Sequence, residues 1–281
     1  MKRQLRTTTA LAAILAAGVA PLTLTTPASA AAAKYADDFN GDGFRDYAVY
    51  SGGDSKGGGV EVTFGTANGP GTRTQLVDQA SPGVPGADEA DDWFGEVRTA
   101  ADFDKDGHGD IAVGTAVHSK SKGRVSVWYG SSSGPSTSTR ITQATSGVAG
   151  TPETYDEFGW SVSAGDANGD GYKDLAVGVI GEAINGKEYA GGVHVLYGRA
   201  SGLSGTRSQW FARNSAGVPG ALEEGEHFGY AVRLRDTNAD GRADLYVRGS
   251  VNTLRLPGSP TGVTTTGAAS AEEKLIEGTL Q

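Results

Sequence analysis

The chain has 281 residues with 44 Gly, 10 Pro, 1 Met and no Cys, and 24 basic against 33 acidic side chains give a net charge of −9. Without a thiol there is no disulfide framework, no Cys-ligated metal and no Cys nucleophile. A chain this acidic is no partner for nucleic acid, whose binding rests on Lys and Arg neutralising phosphates. Glycine at over twice its ordinary usage of roughly 7% points to a turn-rich, all-β protein.

Residues 1–30 read as a secretory leader: a basic start (Lys2, Arg3, Arg6), an apolar run from Leu11 to about Leu24, and Ala28-Ser29-Ala30 as an A-x-A cleavage site. The run is shorter than the roughly 20 residues a membrane span needs and Pro21 interrupts it. Cleavage is expected after Ala30, giving a secreted protein with no membrane span. Removing three basic groups leaves −12 on the remainder.

Residues 31–281 are four units of one module, about 31–79, 80–143, 144–213 and 214–281. The same nonapeptide opens at Asp38, Asp102, Asp166 and Asp236. A Phe-Gly pair lies upstream three times (Phe94-Gly95, Phe158-Gly159, Phe228-Gly229), and a short apolar run follows each loop, at Tyr47 to Tyr50, Ile111 to Val113, Leu175 to Val177 and Leu245 to Val247. Next comes a strand alternating with period two, such as Val60/Val62/Phe64 or Val193/Val195/Tyr197, closed by a Gly-x-x-x-Gly turn. A weaker strand ends each unit (Thr74 to Val77, Arg140 to Gln143, Ser208 to Phe211, Val263 to Thr266). Four antiparallel strands per unit, arrayed radially, predict a β-propeller of four blades. The first blade's opening strand, Ala31 to Asp37, is short and Ala-rich, and Leu275 to Leu280 is a candidate to complete it.

The nonapeptide carries the chemistry. Side-chain oxygens at positions 1, 3, 5 and 9, Gly at 6 for the sharp turn and a backbone carbonyl at 7 form a cage suited to Ca²⁺. The predicted ligands are Asp38, Asn40, Asp42, Phe44 and Asp46; Asp102, Asp104, Asp106, His108 and Asp110; Asp166, Asn168, Asp170, Tyr172 and Asp174; Asp236, Asn238, Asp240, Arg242 and Asp244, the seventh position contributing only its carbonyl. Hard oxygen donors favour calcium over zinc or copper, so about four Ca²⁺ are expected, one per repeat. They would bring −12 to −4 and relieve self-repulsion. An EF-hand closes with Glu at position 12; here that position is Val49, Val113, Val177 and Val247.

These residues resemble the FG-GAP repeat of the integrin α-subunit N-terminal propeller, a repeat also found in secreted bacterial proteins. The match is Phe-Gly, then D-x-D/N-x-D-G-x-x-D, then a short apolar strand, over nearly all of Tyr35 to about Gly267. The chain departs from the pattern in lacking the Gly-Ala-Pro element, in having no Phe-Gly in its first repeat, and in supplying four blades where integrin propellers have seven. The resemblance implies ligand recognition on the face opposite the calcium loops. That face holds the loop Gly181 to Gly192 and acidic interblade links with Asp88, Glu89, Asp91, Asp92; Glu153, Asp156, Glu157; and Glu223, Glu224, Glu226.

No catalytic set stands out. Gly130-Ser-Ser-Ser-Gly134 matches G-x-S-x-G, but it runs into Pro135 and aligns with the turns at Gly65 and Gly198, whereas a nucleophile elbow joins strand to helix. His108, His118, His194 and His227 have no partner by spacing, and Trp93, Trp128, Trp160 and Trp210 read as core, with sugar stacking as the sharper alternative. The expectation is a non-catalytic binding or adhesion module for an extracellular glycan or protein, with a lectin as the first specific guess. The alternatives are a propeller enzyme of polysaccharide lyase or phosphodiesterase type, or an incomplete remnant of a longer propeller.

Overall fold

A computed structural model describes residues 31–52, 57–81 and 92–276. The predicted leader, most of the first interblade link and residues 277–281 lie outside the described residues. The first sheet contains β1 (Tyr47–Ser51), β2 (Gly59–Thr66) and β3 (Gly69–Asp78). The second holds β4 (Val97–Ala101), β5 (Asp110–Thr115), β6 (Arg124–Tyr129) and β7 (Thr137–Ile141), and the third β8 (Phe158–Gly165), β9 (Asp174–Val179), β10 (Gly192–Leu196) and β11 (Gln209–Phe211). The fourth holds β12 (Ala231–Arg235), β13 (Asp244–Arg248), β14 (Thr253–Leu256) and, after the hairpin β15 (Gly258–Ser259) and β16 (Gly262–Val263), β17 (Ala269–Ala271). Each sheet is an antiparallel meander, and the four are the blades of a propeller-type array.

Two expectations are corrected. Ala31 to Asp37 forms no strand, so the first blade has three strands among the described residues where four were predicted. A run of three alanines supplies neither the branched nor the aromatic side chains that fill a pleated surface. In the last blade, Val263 belongs to a small hairpin, and the outermost strand is the later Ala269–Ala271. Leu275 sits in a single 3₁₀ turn, Glu273–Leu275, tied to the fourth blade by Arg248 and Glu273, not in a strand of the first.

β5 and β9 are buried along their whole length because both of their faces meet another blade. This is why they read as continuous apolar runs rather than alternating ones. Apolar clusters form between neighbouring blades: Val60, Val62 and Phe64 with Phe94, Ile111 and Trp128; Val125 and Val127 with Phe158, Leu175 and Val177; Val193 and Val195 with Phe228, Leu245 and Leu254. None of the three unites the first and fourth blades. Each Phe of a Phe-Gly pair is wholly buried in such a junction, a burial that stabilises by about 1.5–3 kcal/mol. The glycine is required by contact as well as by φ. At Gly159, with φ of +93°, a Cβ would lie 2.5 Å from the Arg124 carbonyl oxygen and 3.2 Å from the Gly114 Cα.

His194, in β10, is buried between Phe158 and Trp210, ring centroids 5.6 and 4.6 Å away, and neither ring nitrogen has a hydrogen-bond partner. Burial pushes its pKa down to about 3. Since the unfolded chain protonates nearer 6.5, the stability from a neutral His194 is fully present above that pH. It is lost as pH falls toward 3, by about 1.4 kcal/mol per unit. His194→Phe is expected to remove this contribution from the pH dependence of urea unfolding, measured between pH 7 and 5. Parallel pH profiles for the two proteins would refute it.

Candidate metal centres

Each Asp loop connects the first and second strand positions of its blade, and the four share one end of the array. The position-1 carboxylate anchors the loop. Asp38 accepts the backbone N–H of Asp42 and Gly43 at 3.0 and 2.8 Å, and Asp102 those of Asp106 and Gly107, each at 3.2 Å. Asp166 accepts from Gly169 and Gly171, and Asp236 from Asp240 and Gly241. Position 3 accepts the N–H of position 5, and position 5 accepts that of position 7, in all four loops. The loop is therefore wound so that its acidic oxygens converge before any cation arrives.

In the second loop, carboxylate oxygens of Asp102, Asp104 and Asp106 lie within 4.8 Å of one another. Burial, then repulsion by Asp106 and Asp102, pushes the Asp104 carboxyl up to about 6. A cluster of hard anionic oxygens with this mutual repulsion fits a divalent cation of the calcium type. Position 3 is Asn in the other three loops, where its amide oxygen takes the same place at one charge less.

Position 9 has a second task that the spacing does not reveal. Asp46, Asp110, Asp174 and Asp244 are all buried, and one oxygen of each accepts the N–H of the glycine opening the Gly-x-x-x-Gly turn: Gly65, Gly130, Gly198 and Gly258, at 2.7, 2.9, 3.0 and 3.1 Å. The other oxygen takes the position-2 N–H in the first three loops, from Phe39, Phe103 and Ala167. In the fourth it accepts from Arg255 Nε at 2.7 Å. Burial pushes Asp110 up to about 8 and Asp174 up to about 7, against the pull of these N–H groups. Gly130 to Gly134 is confirmed as an ordinary turn, its Ser131 hydroxyl donating to the Gly134 carbonyl.

The opposite end differs from expectation. Of the acidic link residues, Asp92, Asp156 and Glu226 are buried structural groups rather than surface ones. Asp92 accepts from Gln79 Nε2 and lies 2.8 Å from His118 Nδ1, with the buried Arg124 guanidinium 3.5 Å away and donating to Gln79. His118 thus has a partner 26 residues upstream. Glu226 is held by Arg213, and Asp156 by the backbone N–H of Glu153, burial raising its pKa to about 7. Trp128 and Trp210 pack in the core as expected, but Trp93 is 59% exposed. With Trp160, Glu96, Val97 and Val117 it lines a cavity of about 290 Å³.

Antiparallel blades stacked through Phe-Gly glycines, each with an Asp-rich loop between its first two strand positions, define an integrin-α-type β-propeller architecture. The chain carries FG-GAP repeats, the family model matching residues 94–128 and 158–196. It is similar to phosphatidylinositol-glycan-specific phospholipase D of Rattus norvegicus, 30% identical over 160 residues, covering 55% of this chain and 18% of that protein. The Bos taurus protein of the same name is 34% identical over 93 residues, 33% of this chain and 11% of its own length. Integrin alpha pat-2 of Caenorhabditis briggsae is 29% identical over 205 residues, 66% of this chain and 15% of its own. The chain thus spans less than a fifth of the length of these relatives. Among the described residues, no helix is long and apolar enough to cross a membrane.

Proposed function

We propose that the chain is a secreted, calcium-binding propeller module that recognises an extracellular ligand and catalyses no reaction. The observation that carries this reading is the recurrence, four times in register, of a loop whose backbone N–H groups already hold Asp or Asn oxygens together at positions 1, 3 and 5. Each Ca²⁺, held by residues such as Asp102, Asp104 and Asp106 and by the seventh-position carbonyl, supplies charge compensation and pins the turn. Export through residues 1–30 would deliver the protein to calcium-rich surroundings.

Extracellular sites bind with Kd on the order of 10⁻⁴–10⁻³ M, so at about 2 mM calcium each would stabilise by about 0.6–1.8 kcal/mol. Chelation is expected to lower the melting temperature by on the order of 10 °C, and titration calorimetry to count about four ions, one fewer in Asp102→Ala. An unchanged melt in chelator, or equal stoichiometry in the two proteins, refutes the assignment.

For the ligand we favour a glycan at the cavity beside Trp93 and Trp160. Indole faces stack on the C–H faces of a sugar ring, and Glu96 accepts from its hydroxyls. Screening against a polysaccharide array is expected to yield a binder whose affinity falls about tenfold or more in Trp93→Ala, at an unchanged melting temperature. A blank array from folded protein transfers the reading to a protein ligand, in line with the integrin relative. Against an enzyme stands the use already made of the acidic groups, as loop anchors or in buried pairs. The similarity to the phospholipase D proteins falls within less than a fifth of their length.

A further inference from the structure

Two of the three junctions between blades set a guanidinium of the chain itself against a buried carboxylate. At the first, Gln79 Nε2 donates to Asp92, and the buried Arg124 donates to Gln79 Oε1 and lies 3.5 Å from Asp92. At the third, Arg213 donates to Glu226 Oε1 and to Asn252 Oδ1. The middle junction has the same frame, with Gln143 and Asp156 standing 13 residues apart as the other two link pairs do. Its third member differs: where Arg213 meets Asn252, 39 residues on, Gln143 meets Glu182 at the same separation, Nε2 to Oε2 at 2.6 Å.

Among the described residues, the middle junction thus holds two carboxyls and no guanidinium. Arg124 opens β6 opposite Thr115, whereas Gly192 opens β10 opposite Val179, and a Cβ on Gly192 would lie 2.1 Å from the Trp210 ring. Gln143, 3% exposed, is left with an Oε1 that has no hydrogen-bond partner, the atom that in Gln79 accepts from Arg124. Asp156, also 3% exposed, accepts the Glu153 backbone N–H. The charges facing Asp156 are Glu153 on its own link, Glu182 on the loop after β9, and Lys122 just before β6, whose ammonium donates to the Pro152 carbonyl. The turn at residues 118–121 packs on the link through its backbone, the Lys120 side chain being exposed, and Glu157 faces His227. Burial, then Glu182 and Glu153, push Asp156 up to about 7, and burial raises Glu182 as well.

We propose that a proton takes the place of the missing guanidinium: Asp156 and Glu182 hold it in the closed junction, giving Gln143 Oε1 a donor, and release the loop of residues 181–192 when they ionise. The two carboxyls titrate as a unit. Gly181 N–H donates to the Asp156 carbonyl and Gly191 N–H to the Glu182 carbonyl, each at 3.0 Å, so both feet of the loop stand on the acidic residues. An ordinary Asp carboxyl, as in the opened junction, loses its proton near 3.8, and the closed one near 7. Closure is therefore favoured fully at acid pH, weakens as pH rises between those values, and levels off above the higher one. This inference is independent of the calcium and ligand readings.

Hydrogen exchange of the calcium-loaded protein tests it, read by mass spectrometry on peptides from residues 181–192 and corrected for the intrinsic rate at each pH. Protection is expected to fall at least tenfold between pH 5 and 7 and to stay level from 7 to 8. Residues 249–252 are the internal reference, because Arg213 neutralises their junction and Ser250 N–H donates to the Glu226 carbonyl at 2.7 Å; they should show no such fall. Asp156→Asn, which keeps an acceptor for the Glu153 N–H, should retain at pH 7 the protection that the parent has at pH 5. Glu182→Gln should move the midpoint of the fall to lower pH, and it decides the matter alone if Asp156→Asn does not fold. Constant protection from pH 5 to 7, an equal fall in Asp156→Asn, an equal fall at residues 249–252, or an unmoved midpoint in Glu182→Gln would each overturn the proposal.

Discussion

Replacing Arg213 by Leu is expected to lower the free energy of unfolding by about 3–5 kcal/mol, the cost of stranding one charge of a buried pair. Arg213 and Glu226 are both buried. The guanidinium donates to Glu226 Oε1 from Nε at 3.1 Å and Nη2 at 2.6 Å, to the Pro219 carbonyl at 2.7 Å and to Asn252 Oδ1 at 2.6 Å, and lies 4.7 Å from the Phe228 ring centroid. One group thus joins the end of β11, the interblade link, the Phe-Gly junction and the turn after β13. Leu would fill part of the space but leave Glu226 without a cation, and its Oε2 already has no partner. Urea unfolding reads the effect directly. Adding Glu226→Leu should recover part of the loss, since the stranded carboxylate is then gone. A single-variant loss below about 1 kcal/mol would show that the link relaxes to hydrate Glu226.

The second large effect is expected at Asp110. Asp110→Ala removes both acceptors from the buried N–H groups of Phe103 and Gly130. At about 1–3 kcal/mol for each unsatisfied buried group, the loss is about 2–6 kcal/mol, and it should persist in chelator because those bonds exist without a cation. Asp106→Ala, at the exposed fifth position, should be silent in chelator and destabilising only in calcium. Thermal melts of both variants with and without calcium separate a stapling role from a ligating one. If Asp110→Ala were as silent in chelator as Asp106→Ala, position 9 would be a ligand alone.

The repeat was legible because four copies of one pattern leave little room for coincidence. Asp-x-Asn/Asp-x-Asp-Gly dictates its own turn through side-chain acceptors two to five residues from their donors, so the loops could be read locally. What escaped is what depends on neighbours. Position 9 reaches a glycine 14–24 residues downstream, at a separation that varies with the loop between strands. The link pairs Gln79 with Asp92 and Arg213 with Glu226 recur at an offset of 13 residues, a signal present in the chain but disguised by the change of residue type. Trp93 reads as core from its place at a blade start; the turn before Phe-Gly sends it and the adjacent Phe94 to opposite environments. The missing strand of the first blade and the displaced strand of the fourth both fall where no apolar alternation fixes a register.

The three apolar clusters, each confined to adjacent blades, give the single chain the thermodynamics of a linear array. Its stability is a sum of unit and nearest-neighbour contributions, and opening begins where a unit has one neighbour instead of two. The first blade, three-stranded among the described residues, shares an apolar cluster with the second, so amide hydrogens of β1 and β3 should exchange ahead of those of β9, whose faces are both covered.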